Sequence, residues 1–201
     1  MKITVSLARI LRSTGAESVL ACTLLLLVSA VAQAAQQVSV EPATGIRTWS
    51  TSHAGVHFSL TQILPQQADA FYVNRGFSVA QIEPYSTACV YMTVLRNDTA
   101  PGVIHFNRKN WAVTHNGQQH RAKTVSEWLE FFTARGVGKP ALIAFRWAQF
   151  PPEQEYEPGG DWNQGMLAVG LPAGASFDIE ARWDVDGRDF STMLKGVECA
   201  E

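Results

Sequence analysis

Histidine is the first side chain in this sequence whose spacing could do chemistry. His115 and His120 flank Asn116-Gly117, a dipeptide suited to a two-residue hairpin turn. In that hairpin His115 faces Gln118 and Val113 faces His120. The two imidazoles are then diagonal neighbours on one face, roughly 7–8 Å apart at the Cα atoms. With His105 or His57 as a third nitrogen they would form a site for zinc or copper. No Cys, Met or carboxylate stands at a diagnostic spacing nearby, and solvated histidines at a polar hairpin tip are the competing reading.

Carboxylates offer two further groupings. Between Pro151 and Gln164, Glu153, Glu155, Glu157 and Asp161 alternate with Tyr156 and Trp162, just after Phe150. Read as a long acidic, aromatic loop, this stretch would suit contact with a basic protein or a carbohydrate, because Tyr and Trp bring contact area at small entropic loss. Trp162 folded back onto the core is the alternative. Near the C-terminus, Asp184 and Asp189 would oppose each other across an Asp186-Gly187 turn, an unfavourable pairing unless a cation or arginine intervenes. Arg182 or Arg188 could supply that charge. The stretch lacks the register of a calcium loop, with Lys195 where the bidentate glutamate would fall. For catalysis there is no Gly-x-Ser-x-Gly elbow, His-Glu-x-x-His, phosphate loop or Cys-x-x-Cys. A hydrolase built on Glu155 or Asp161 with His115 has nothing in its favour.

The elements that must position these groups begin after residue 34. Lys2, Arg9 and Arg12 precede an apolar run from Val19 to Ala32, and Ala32-Gln33-Ala34 gives a small-x-small cleavage pattern. Residues 1–34 read as a signal peptide and 35–201 as one exported domain, periplasmic or secreted. The apolar run follows Cys22 rather than preceding it, which argues against a lipoprotein site. No stable membrane insertion is expected once the signal is cleaved. Removing Lys2, Arg9, Arg12 and Glu17 from 16 basic and 18 acidic residues leaves 13 and 17, a formal charge of −4. No arginine-rich run remains, so nucleic acid is not an expected partner. Cys89 and Cys199 remain as an even pair in an oxidising compartment, which predicts a structural disulfide.

The pattern along the domain is mostly of strands. Phe177, Ile179, Ala181, Trp183 and Val185 alternate with charged residues, giving a half-buried strand. Through Asp186-Gly187 it pairs Trp183 with Phe190 and Ile179 with Leu194. His57–Leu64 is a second strand. Ala88–Asn97, apolar at nearly every position, reads as a central strand covered on both faces. Pro65 opens a helix that Gly76 stops, and Ser78–Glu83 adds at most a turn before Pro84. Thr124-Val125-Ser126-Glu127 is a capping box for a helix closed by Gly136. Residues 140–150 alternate Ile143, Phe145 and Trp147 with Ala144, Arg146 and Ala148, favouring a strand over a helix.

These elements predict a mainly β protein, an antiparallel β-sandwich of immunoglobulin-like type decorated with one or two short helices. A mixed sheet packed on a helix, in an α+β fold, is the alternative. The functional expectation is an exported, non-catalytic binding or accessory module acting on a protein partner, such as an inhibitor, immunity factor or accessory subunit. It would use Tyr156, Trp162, Glu153, Glu155, Glu157 and Asp161, with no resident cofactor. A metal-handling protein using His105, His115 and His120 with zinc or copper is second. A hydrolase of envelope polymers is third.

Overall fold

One strand, Val90–Asn97, decides the architecture, because it packs side chains on both of its faces. A computed structural model describes residues 35–201, so the expected signal peptide, 1–34, lies outside the described residues. In chain order the strands are β1 (Gln37–Val40), β2 (Arg47–His53), β3 (Val56–Ile63), β4 (Val90–Asn97), β5 (Ile104–Asn107), β6 (Ala112–His115) and β7 (Gln118–His120). They continue with β8 (Glu153–Tyr156), β9 (Asp161–Ala168), β10 (Ser176–Val185) and β11 (Arg188–Glu198). The helices are α1 (Pro65–Val73), α2 (Val79–Ser86), α3 (Val125–Ala134) and α4 (Lys139–Ala148). Among the described residues strand outweighs helix by 43% to 24%, counting a short 3-10 turn at Arg108–Asn110, so the fold is mainly β.

Two antiparallel sheets face each other. The first has the order β1-β2-β3-β4-β9, with the first four strands paired in chain order. In the second, β10 pairs with β11 along one edge and with both β6 and β5 along the other. β7 extends β6, and β8 extends β5. The C-terminal hairpin has the expected register, Trp183 opposite Phe190 and Ile179 opposite Leu194. Asp186 and Gly187 both adopt positive φ at its turn, as do Asn116 and Gly117 between β6 and β7.

Between the sheets lies one core, with Trp49, Phe58, Leu60, Tyr91 and Leu95 meeting Ile104, Phe106, Ile179, Trp183 and Leu194. Val90 and Met92 point the other way from β4, where the helices bury Tyr72, Phe77, Ile82, Tyr85, Trp128, Phe132 and Phe145 in a second core. Alternation along one strand therefore feeds two cores. Cys89, at the start of β4, and Cys199, just past β11, are bonded with Cα atoms 5.1 Å apart. That bridge ties the first sheet to the second.

Several expectations need correction. Residues 139–148 form α4 rather than a strand. Pro140 sits in the first turn, Ala141 and Phe145 bury at i and i+4, and the supposedly inward Ile143 and Trp147 are 48% and 81% exposed. The helix α2 runs through Pro84 to Ser86, with the proline forfeiting one intrahelical bond in its last turn. Four short helices stand where one or two were expected. The stretch 151–164 is no open loop either: β8 and β9 occupy most of it, joined by a short turn. β8 lies at a sheet edge, and its polar sequence hides the strand period. Gly165 permits the return from α4 to pass close, since a Cβ there would lie 2.3 Å from the Phe150 nitrogen.

One polar device is sealed in the helical core. Tyr85 donates to the Gln149 carbonyl oxygen (2.9 Å), and the Gln149 amide donates to the Tyr72 hydroxyl (2.7 Å). Burial pushes both phenols well above their ordinary pKa, so they remain neutral donors. Gln149→Leu should destabilise the protein by about 1–3 kcal/mol in denaturant unfolding, because two buried hydroxyls lose their common partner. Cys89→Ser should cost roughly 4–5 kcal/mol, the loop-closure value for a bridge of this span, and should leave Cys199 open to alkylation.

Candidate functional site

The outer face of the second sheet is where the sequence-predicted residues meet. Even-numbered residues of β10 point away from the sandwich core, and cross-strand pairs share a face. Asp184 is opposite His105 on one side and Asp189 on the other. His105 in turn lies opposite Glu155 of the edge strand β8, and Asn107 opposite Glu153. These pairings bring Glu153, Glu155, Asp184 and Asp189 around a single imidazole. Of these, His105, Asp184 and Asp189 line a concavity of about 590 Å³ together with Glu180, Arg182, Asn107, Asn110 and Ser191, and Glu153 and Glu155 lie beside it on β8.

His105 is held at both nitrogens. Its Nδ1 lies 3.0 Å from Asp184 Oδ2 and its Nε2 lies 2.9 Å from Glu153 Oε1. Only the imidazolium donates at both positions. The hydrogen bond with Asp184, followed by the one with Glu153, raises the His105 pKa above its ordinary value. Thus His105 supplies positive charge beside Asp184, on the side of β10 away from Asp189. The neighbouring arginines are engaged elsewhere: Arg182 pairs with Glu180 at 2.7 Å, and Arg188 lies over the Phe190 ring. Asp184 also accepts from the Gly187 amide (3.2 Å), so it closes the hairpin turn as well.

The remaining predicted residues are dispersed. Tyr156 faces inward and is 2% exposed, part of an aromatic group with Phe106 rather than a surface contact. Trp162 is 49% exposed and lies opposite Arg96 on the first sheet. Asp161 accepts from the Glu157 amide (3.0 Å) and so shapes the turn between β8 and β9. His115 and His120 have the predicted register, yet each engages a separate carbonyl. His115 Nδ1 is 2.8 Å from Ser176 O, and His120 Nε2 is 3.0 Å from Val169 O. The structure therefore does not bring His105, His115 and His120 together. Among the described residues, no three or more His, Cys, Asp or Glu side chains are grouped to hold a metal ion.

Sequence reasoning missed the participation of Asn107, Asn110 and Glu180. Only the side-by-side placement of β5 and β10 reveals it, and that pairing joins residues about eighty positions apart. Comparisons of the chain with known protein families, with curated proteins and with solved structures find no match.

Because the folded-state pKa of His105 is raised, its ion pairs stabilise fully below the unfolded value of about 6.5 and fade as pH rises through the folded value. Comparing thermal unfolding of the wild type and His105→Gln should therefore show the largest gap between about pH 5 and 6.5. The gap should shrink at alkaline pH. A gap of equal size at pH 5 and at alkaline pH would contradict the assignment of charge.

Proposed function

We propose that this protein is an exported, non-catalytic binding module of the periplasm or cell exterior that recognises a basic segment of another polypeptide. The observation that carries this reading is a concave face lined by Glu180, Asp184 and Asp189, with Glu153 and Glu155 beside it on β8 and, among the described residues that line it, His105 and the Glu180-bound Arg182 as its cations. A lysine or arginine entering that concavity would relieve the opposition of Asp184 and Asp189 and gain charge-assisted hydrogen bonds. The Cys89–Cys199 bridge supports an oxidising compartment.

Engagement of both His105 nitrogens weighs against the metal reading, which needs His105 as a ligand. A doubly donating imidazolium has no lone pair for a metal or for general-base work. The partner class is thus a cation-bearing protein surface, with carboxylates as the recognition groups.

The test is a photo-crosslinking residue placed at Ser191, which lines the concavity, or at Gln66, an exposed position on α1, in the exporting host. One polypeptide should be captured from position 191 and not from position 66. Its capture should disappear when Asp189→Lys and Glu155→Lys are combined. Capture that survives both charge reversals, or that is equal at the two positions, would overturn the reading.

A further inference from the structure

A second concavity, of about 890 Å³, opens beside the first, between the β6–β7 hairpin, the segment leading into α3, and the edge of β9. Its lining carries Arg108, Lys109, Arg121, Lys123 and Arg182, and none of the described residues that line it is Asp or Glu. This is notable in a domain whose formal charge is −4 once residues 1–34 are set aside: five of its 13 basic residues line one cleft. Such an arrangement concentrates positive potential where the protein as a whole is negative.

The cations differ in their commitments. Glu127 holds Arg121 through both guanidinium arms (2.8 and 3.0 Å), and Glu180 holds Arg182. Lys109 and Lys123 make no ion pair among the described residues, and Lys123 sits 4.9 Å over the Trp128 ring. Arg108 is half-buried, and among the described residues its guanidinium makes one hydrogen bond, to the Phe150 carbonyl (3.2 Å). A partly desolvated guanidinium with donors to spare favours an anion over water.

The walls are of another character. Trp111, Val113 and Val125 line the cleft half-buried, above buried Leu167, Val169 and Ile179. Trp111 is fixed in place by its indole N–H, which donates to the Arg182 carbonyl (3.0 Å). The volume falls within the range of small-molecule sites, which combine apolar walls with a few placed polar groups. A bare inorganic anion would leave those walls wet. A cationic or neutral amphiphile would leave the rim charges unanswered.

We propose that this cleft binds a single-chain amphiphile with one anionic head, its head among Arg108, Lys109 and Lys123 and its chain along Trp111, Val113 and Val125. The carboxylate or phosphate of the head supplies the shared chemistry, and the chain gains by leaving water. This site is independent of the acidic face, with only Asn110 and Arg182 common to both linings.

Calorimetric titration of the exported protein tests it, using dodecanoate, dodecyl phosphate, butyrate and dodecyltrimethylammonium below their micellar concentrations. Saturable binding of dodecanoate or dodecyl phosphate is expected, with the tighter of the two naming the head group. Butyrate and the cationic amphiphile should bind at least about tenfold more weakly. The exposed pair Lys109→Glu and Lys123→Glu, with unchanged thermal unfolding, should weaken the anionic probes by about tenfold, and added salt should weaken them in the wild type. Equal binding of the anionic and cationic probes, no binding of either anionic probe, or unchanged affinity in the double variant would each overturn the proposal.

Discussion

The fold depends on one strand serving two cores. β4 sends Tyr91 and Leu95 into the space between the sheets and Val90 and Met92 beneath the helices. Its apolar run is intelligible only on that basis, because a one-sided strand would leave half of those side chains in water. The bridge from Cys89 then fixes the start of this strand to the end of β11. Loss of order in either core would propagate to the other through β4, so the helical layer is integral to the domain and no mere decoration of the sandwich.

This arrangement frees the outer face of the second sheet for polar work. The helices cover the first sheet, while Phe177, Ile179, Ala181, Trp183 and Val185 turn inward from β10. Their neighbours Glu180, Arg182 and Asp184 are left facing outward around His105. Charge is then sorted along the surface. Carboxylates gather where β5, β8, β10 and β11 lie side by side, and cations gather where the β6–β7 hairpin meets the approach to α3. Arg182 and Asn110 mark the border.

Much of this was legible in the sequence where a local signal coincides with the global fold. The alternation from Phe177 to Val185, the two positive-φ dipeptides Asn116-Gly117 and Asp186-Gly187, the Thr124–Glu127 capping box and the cysteine pair each reported a feature the structure contains. Failure came where two periods overlap. Over residues 139–148 the aromatic alternation imitated a strand, although Ala141 and Phe145 also mark a helical face. β8 was hidden because its side chains are polar on both faces, and an edge strand can be defined by pairing alone. Half of the candidate site was visible as residue types, since His105, Glu153, Glu155, Asp184 and Asp189 all drew notice. Their meeting was not visible, because it depends on which strands are neighbours.

We propose that charge segregation gives this domain two separate recognition surfaces. Amide chemical-shift mapping on the isotopically labelled protein tests it most directly, with an oligolysine peptide and dodecanoate titrated in turn. The peptide should perturb the amides of His105, Asp184, Asp189 and Ser191 and leave residues 121–126 unchanged, whereas dodecanoate should do the reverse. Overlapping perturbations from the two probes, or none from either, would contradict the account.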